Sequence, residues 1–478
     1  MAEENLKSQT KKGLYWKFAD QLSGYGMQFL VGIFMARMLS PSDYGITALP
    51  AVFLAVGGIF ASAGFGTAMV RKPELTDEDL STAFYYSLGV GIFIYALLWF
   101  CSPLIAAFYN IPVLTPLIRV TSLSFFYGPL STPQNIILQR NLDFKTPTKV
   151  SVIVRVISAV VGIYMAYMGY GVWALTISAL IAGVASMLIL YWYVRWYPKT
   201  GWSKESFRYL WGFGNKYMGS QILDTIYNNI TPVVIGKFFS VSDLGMYNRA
   251  NGYAEMPSKN VHGVISSVTY PVLAKVQDDK ERLSSGYIRM LKVTGFIVFP
   301  MMAGLAALAK PLIVVMITEK WLPCVILLQL ICISKMWWPI HAINLNILLV
   351  KGRSDLFLKL EVIKKIWGVI FLSCTLPFGV TVFCAAGIIS SIVSLVINTW
   401  YTGDIIDCGF WKQIGFLMPS LLLSAFMFTI CWGLTFVIEP MWLQIVVGLI
   451  VGVIIYLGGA ILLRFPELTD VKYLLSRS

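Results

Sequence analysis

The chain has 478 residues, of which 57% are apolar and only 13% charged, with a mean hydropathy of +0.71. Soluble domains carry about a quarter charged residues, so this composition excludes a cytosolic enzyme, a secreted disulfide scaffold and a disordered chain. The net charge of +13 would suggest nucleic acid in a soluble protein. In a chain this apolar it reads as the cation bias of cytoplasmic loops, and no nucleic-acid partner is expected.

A helix needs about 20 apolar residues to cross a bilayer. Fourteen segments of that kind follow one another along the chain: 15–39, 45–70, 81–109, 114–139, 149–168, 171–197, 209–239, 244–274, 288–309, 322–350, 356–376, 380–404, 413–438 and 441–464. They are too long and unbroken for barrel strands, so the expected fold is all-α, a polytopic membrane protein of about 14 transmembrane helices. The first run contains Asp20 and Gln21, which argues against a cleavable signal peptide.

Alternate connections are short and nearly free of cations: Ser40 to Asp43, Asn110 to Pro112, Gly169 to Gly171, Ser240 to Asp243, Pro377 to Gly379, and Glu439 with Pro440. The intervening ones carry Arg71 and Lys72; Arg140, Lys145 and Lys149; Arg195, Lys199, Lys204 and Arg208; Lys275, Lys280, Arg282 and Arg289; Lys351, Arg353 and Lys359. This asymmetry puts the second set in the cytoplasm and, with an even number of spans, both termini as well.

The chain also repeats itself. Arg37-Met-Leu-Ser40-Pro-Ser42-Asp43-Tyr-Gly45 recurs as Lys237-Phe-Phe-Ser240-Val-Ser242-Asp243-Leu-Gly245, and Asn135-Ile-Ile-Leu-Gln-Arg140 as Asn346-Ile-Leu-Leu-Val-Lys351. Lys149 to Ile153 is echoed by Lys359 to Ile363, and Tyr170-Gly-Val172 by Phe378-Gly-Val380. Four matches in one order imply two six-helix lobes, residues 1–200 and 201–408, with two extra C-terminal helices and a cytoplasmic tail over 409–478. Six spans per copy give both lobes one orientation, which is a transporter layout.

A charge at bilayer depth costs a few kcal/mol or more and marks a functional candidate. Arg37, Lys237, Lys310 and Lys320 lie near the outer boundary, where they snorkel. Arg119, Lys216, Arg249, Lys259 and Lys335, and the acids Asp20, Asp224 and Glu255, lie inside spans. In the eighth span Asn248, Gly252, Glu255, Lys259, His262 and Ser266 follow alternating spacings of four and three, which puts them on one helix face. Arg249 and Asn251 border that face. Such a polar stripe has no place against lipid and is expected to line a water-filled cavity. Asp224 sits mid-span with Gln221, Asn228 and Asn229, and is equally readable as a counter-ion to Lys259, an ion carrier or a hydrogen-bonding group. Lys335 stands beside Trp337 and Trp338 in the tenth span. Interior cations outnumber interior acids, which points to an anionic substrate, phosphate being the natural one.

Signatures of chemistry are missing. The seven cysteines lie mostly in apolar runs without CxxC spacing and read as packing residues, while His262 and His341 are too few for a metal site. No P-loop occurs, so no cofactor is expected, and uphill transport would draw on a proton or sodium gradient.

The basic stretch Lys11-Lys12-Gly13, the polar-dotted first span and the junction Arg37-x-Leu39-Ser40-Pro41-x-x-Tyr44-Gly45 resemble the polysaccharide-transporter branch of the multidrug/oligosaccharidyl-lipid/polysaccharide (MOP) superfamily. The nearest group is the lipopolysaccharide and colanic-acid-type exporters, or flippases. The resemblance implies movement of an undecaprenyl-diphosphate-linked oligosaccharide across a bacterial inner membrane, in membrane lipid, alongside a polysaccharide polymerase and chain-length machinery. It also implies two bundles with spans 1, 2, 7 and 8 lining a cationic cavity. It carries no cavity residue across, so the substrate-binding candidates (Lys259, Arg249, Arg119, Lys335, Asn248, Asn251 and His262) and the cavity or ion-coupling acids (Asp224, Asp20 and Glu255) rest on depth and helix face alone. A cation-coupled drug exporter of the same fold would favour acids in its pocket, and a polymerase or ligase would need a large outer loop. The expected protein is therefore not an enzyme.

Overall fold

The computed structural model describes residues 2–470, with side chains from residue 13 onward apart from 14, 18, 264, 267 and 268. The side chains of the basic pair Lys11-Lys12 and the last eight residues of the expected tail lie outside what it describes. Among the described residues there are helices and turns and no strands. The long helices in chain order are α1 (Ala2–Met38), α2 (Pro41–Arg71, broken at Pro50 and at Ala63-Gly64), α3 (Asp77–Tyr109), α4 (Leu114–Thr121 and Ser124–Arg140), α5 (Lys145–Tyr167), α6 (Val172–Val194) and α7 (Lys204–Phe238). There follow α8 (Val241–Ala274), α9 (Lys280–Ala307), α10 (Cys324–Val350, broken at Met336-Trp337), α11 (Ser354–Thr375), α12 (Val380–Ile406), α13 (Phe410–Val437) and α14 (Met441–Leu462). Each hydrophobic segment read from the sequence falls on one of these.

Among the described residues, nine helices are long and apolar enough to cross a membrane. The others (α1, α4, α7, α8 and α11) carry many polar and charged residues, which lowers their hydropathy. The chain is a multi-pass membrane protein.

Contacts divide the chain into two compact units, residues 1–245 and 246–478. In the first, α5 packs on α6 and α1, α4 on α6 and α3, and α7 on α2 and α3. Its core holds Phe65, Met69, Phe84, Trp196 and Leu210. In the second, α13 packs on α9 and α14, α10 on α12 and α9, and α11 on α12. Packing units and sequence repeat thus do not coincide, because α7 lies in the first unit although it opens the second copy of the repeat.

The repeated residues have identifiable physical jobs. Ser40 caps the start of α2: its backbone N–H donates to Asp43 Oδ2 at 2.8 Å, and Asp43 N–H donates to Ser40 Oγ at 3.2 Å. Ser240 and Asp243 repeat this reciprocal bonding at the start of α8, at 3.2 and 3.1 Å. Each copy is a capping box that satisfies orphan N–H groups of a helix start. Arg140 and Lys351 are likewise equivalent. Arg140 donates to the carbonyls of Met69 at 2.9 Å and Pro73 at 2.8 Å, and also to that of Lys72, at the end of α2. Lys351 donates to the carbonyl of Gln277 at 2.6 Å, just past α8. Cations at a helix C-terminus bond its last carbonyls in this way.

The glycines of the junction explain themselves by contact. A Cβ on Gly45 would stand 1.8 Å from the Val241 carbonyl oxygen, and one on Gly245 would stand 1.9 Å from that of Pro41. The two capped helix starts, both inside the first unit, cross backbone to backbone, and only residues without a side chain permit it. Outside the spans, the Lys280 ammonium donates to Asp407, 2.7 Å away, and holds that exposed carboxyl below its ordinary range.

Gly45→Ala and Gly245→Ala are each expected to destabilise the purified protein by about 1–3 kcal/mol, the cost of overpacking. Gly58→Ala, where a Cβ meets nothing within 4 Å, should leave the melting temperature in detergent unchanged. A Gly45→Ala melting curve overlying the wild type would refute the crossing.

Candidate functional site

Among the described residues, both units hold charged centres inside their helices. In the first unit Asp20 sits on α1 and Arg155 on α5, with Arg155 Nη1 3.0 Å from Asp20 Oδ1. The same nitrogen donates to the Asp20 carbonyl and to Ser23 Oγ, both at 3.2 Å, and Ser151 Oγ donates to Asp20 Oδ1. The guanidinium lies flat on α1 at Gly24, where a methyl would press to 3.0 Å from Nη2. The pair borders a groove of about 690 Å³ that also has Lys17, Gln21 and Gln28 on its walls. Both charged side chains are about one-third exposed.

In the second unit the centre is Glu255 on α8. Lys335 Nζ on α10 donates to Glu255 Oε2 at 3.0 Å, Asn251 Nδ2 donates to the same oxygen at 3.2 Å, and Lys259 Nζ is 3.8 Å from Oε1. Trp338 forms the floor: Lys335 Nζ is 5.3 Å from its ring centroid. The His262 ring stacks on it at 5.6 Å and 5°, and His262 Nδ1 is buried without a hydrogen-bond partner among the described residues. One carboxylate therefore answers two ammonium groups. Lys335 is the closer and the more enclosed, while Lys259 has 64% of its side chain exposed.

A proline lies in each helix that presents this centre, Pro257 inside the continuous α8 and Pro339 just after the break in α10. Pro339 has no N–H to give the carbonyl of Lys335, four residues earlier. The fully buried Ser258 hydroxyl fills the gap, donating to that carbonyl at 2.9 Å. On the other side of the break, Ser391 Oγ of α12 donates to the Ser334 carbonyl at 3.0 Å, and Ser334 Oγ to that of Gly387 at 3.0 Å. Polar stitches from two neighbouring helices thus fix the turn that aims Lys335 and Trp338.

Of the residues read from the sequence, Glu255, Lys259, Lys335, Asn251 and His262 come together here, and Asp20 joins the other centre. Arg249 lies over the rings of Tyr253 at 5.5 Å and Trp321 at 5.6 Å. Asn248 is half-buried on the same helix, and Asp224 is half-buried near the middle of α7. Arg119 is apart from both centres, 4.3 Å over Trp99 with its Nε donating to Ser102 at 3.1 Å. Lys216 lines a pocket of its own with Arg71. Sequence reasoning missed Arg155 by grouping it with the helix-end cations, although it lies two turns inside the fifth apolar segment. It also passed over Ser258, whose signal was a proline in the helix it packs against.

Charged side chains inside polytopic helices occur in membrane transporters, and the fold is that of solved transporters. The fold is similar to that of "Lipid II flippase MurJ, inward closed conformation", with a TM-score of 0.73 at 17% identity over 94% of this chain and 99% of that one. It is also similar to an inward-facing multidrug resistance MATE family transporter of the MOP superfamily, with a TM-score of 0.57 at 15% identity over 84% and 94%. The protein has the MOP transporter fold.

Within that class, the family model "Polysaccharide biosynthesis protein" matches residues 34–326, and the chain belongs to this family. Its relatives include "Teichuronic acid biosynthesis protein TuaB" of Bacillus subtilis (strain 168), 24% identical over 92% of both chains. "Lipopolysaccharide biosynthesis protein WzxC" of Escherichia coli (strain K12) is 24% identical over 75% of this chain and 74% of that one. "Succinoglycan biosynthesis transport protein ExoT" of Rhizobium meliloti (strain 1021) is 27% identical over 69% and 67%.

Asp20 and Arg155 should behave as a coupled pair. Combining Asp20→Asn with Arg155→Gln is expected to cost less stability than the sum of the single changes, by at least about 0.5 kcal/mol. Melting curves of the four proteins in one detergent measure this, and strict additivity would dissolve the pair.

Proposed function

We propose that the protein is a flippase that carries a lipid-linked oligosaccharide, on undecaprenyl diphosphate, from the inner to the outer leaflet of a bacterial inner membrane by alternating access. The observation that carries this reading is the unequal charge at Glu255. Lys335 is neutralised there, whereas the Lys259 ammonium is mostly exposed and left over for an anion. A diphosphate accepts several charge-assisted hydrogen bonds at once and suits such a cation. Membership in a polysaccharide biosynthesis family, relatives named for polysaccharide assembly and transport, and the likeness to a lipid flippase all support it.

In this reading Lys259, with Arg249 and Lys335, holds the diphosphate. Asn248, Asn251 and His262 meet the adjoining sugars, and Arg119 is a further cation for the substrate. Asp20, Glu255 and Asp224 are the acids through which a proton or sodium gradient would act. The repeat units 1–200 and 201–408 are the two lobes, residues 409–478 form an appendage, and both termini are cytoplasmic. The transporter hands its product to a polymerase with chain-length machinery and performs no covalent chemistry itself. A drug exporter for cations is disfavoured because a surplus ammonium at the site would repel its substrate.

Lys259→Ala is expected to reduce surface polysaccharide about tenfold, the worth of one charge-assisted hydrogen bond, while Lys259→Arg keeps most of it. The assay is polymer per cell at equal protein level in a strain lacking the native gene, and full polymer in the alanine variant would remove Lys259 from the site.

A further inference from the structure

His341 stands on α10 three residues beyond Trp338, and the reading of the Glu255 centre gives it no part. Its ring meets α12 at both nitrogens: Nε2 is 3.4 Å from Ser391 Oγ, and Nδ1 is 3.3 Å from Asn398 Nδ2. Ser391 is also the group that donates to the Ser334 carbonyl at 3.0 Å. One hydroxyl of α12 therefore touches α10 on both sides of the break at Met336-Trp337, at Ser334 before it and at His341 after it.

The directions of these bonds follow from counting protons. A serine hydroxyl has one proton, and that of Ser391 goes to the Ser334 carbonyl, which can only accept. The contact with His341 then runs the other way, with Nε2–H donating to Ser391 Oγ. A neutral imidazole with its proton on Nε2 has a bare Nδ1, and that is what the Asn398 amide N–H faces. Asn398 donates to His341, His341 to Ser391, and Ser391 to the Ser334 carbonyl. The opposite tautomer would set two lone pairs against each other at Ser391 and two N–H groups against each other at Asn398. An imidazolium would repeat the second conflict.

The surroundings hold this chain in place. Asn398 is fully buried. Ser334 Oγ donates to the Gly387 carbonyl at 3.0 Å, one turn before Ser391 on α12. On the far side of the break Trp337 is buried, its ring 5.3 Å from that of Phe299 on α9 and inclined at 62°. The angle at which Lys335 and Trp338 leave the helix is thus set by the face of α12 that carries Gly387, Ser391 and Asn398.

We propose that His341, as its neutral Nε2–H tautomer, is a positioning residue for the Glu255 centre. Its N–H occupies the Ser391 oxygen, commits the Ser391 proton to the Ser334 carbonyl, and so fixes the turn that carries Lys335 and Trp338. The proposal rests on the flippase reading only for what those two side chains do to a substrate; the tautomer and the turn are measured without one.

The test uses full-length protein, free of any histidine tag, in phosphatidylcholine nanodiscs. The chain has two histidines, so nitrogen-15 histidine NMR of the wild type and of His341→Gln assigns His341 by difference. A protonated Nε2 beside a bare Nδ1 is expected at neutral pH. Hydrogen exchange read by mass spectrometry then follows the backbone amides of residues 335–341. Ser391→Ala and His341→Leu should each speed exchange there about tenfold, what one buried hydrogen bond is worth, and leave α9 and α13 unchanged. His341→Gln, whose amide supplies both a donor and an acceptor, should exchange as the wild type does. Polymer export at equal protein level should follow the same order, the glutamine variant keeping what the leucine variant loses. An Nδ1–H tautomer or an imidazolium in the wild type would overturn the proposal whatever the variants do. So would unaltered exchange in Ser391→Ala, or normal export by His341→Leu. Should the wild type itself export no polymer, the flippase reading falls, and the NMR and exchange results still decide this one.

Discussion

Inside hydrocarbon no water stands ready to bond a backbone group that loses its helical partner, and much of this molecule follows from that condition. Pro339 withdraws an N–H from the carbonyl of Lys335, and a buried serine from another helix replaces it. The break in α10 is therefore a fixed turn. It holds an ammonium and an indole at a defined place beside Glu255, so the protein gains a positioned charge from what would otherwise be a defect in a spanning helix.

The same condition explains why the interior charges are grouped. Asp20 is bound through its carboxylate and its backbone carbonyl by one guanidinium, and Glu255 gathers two lysines and an asparagine. The first centre balances one charge of each sign, and the second leaves a cation in excess. An ion pair that balances is suited to joining two helices, whereas one that does not keeps an attraction for a ligand. That difference in charge balance distinguishes the two centres.

The sequence made much of this readable because depth and periodicity are strong signals in a membrane chain. Every apolar segment is helical, and two members of the stripe from Asn248 to Ser266, Glu255 and His262, meet Lys335 and Trp338 of α10. Arg155 escaped because its position two turns from a basic loop looks like a helix end until Asp20 is seen opposite it. The interruption at Met336-Trp337 and the serines that stitch it depend on which helices are neighbours, and linear spacing does not carry that information. The packing of α7 with the first unit is likewise a tertiary fact: Gly214 nests against Ala63, some 150 positions earlier, and no local pattern in either segment announces the other.

The crossing of Gly45 and Gly245 constrains the chain's descent as well as its shape. Each Cβ would collide with main-chain carbonyl oxygen and not with a side chain, so no substitution across the joint can make room for one. Compensation between the two duplicated halves is therefore closed at this point. A side chain at either position therefore requires the helix starts themselves to move apart.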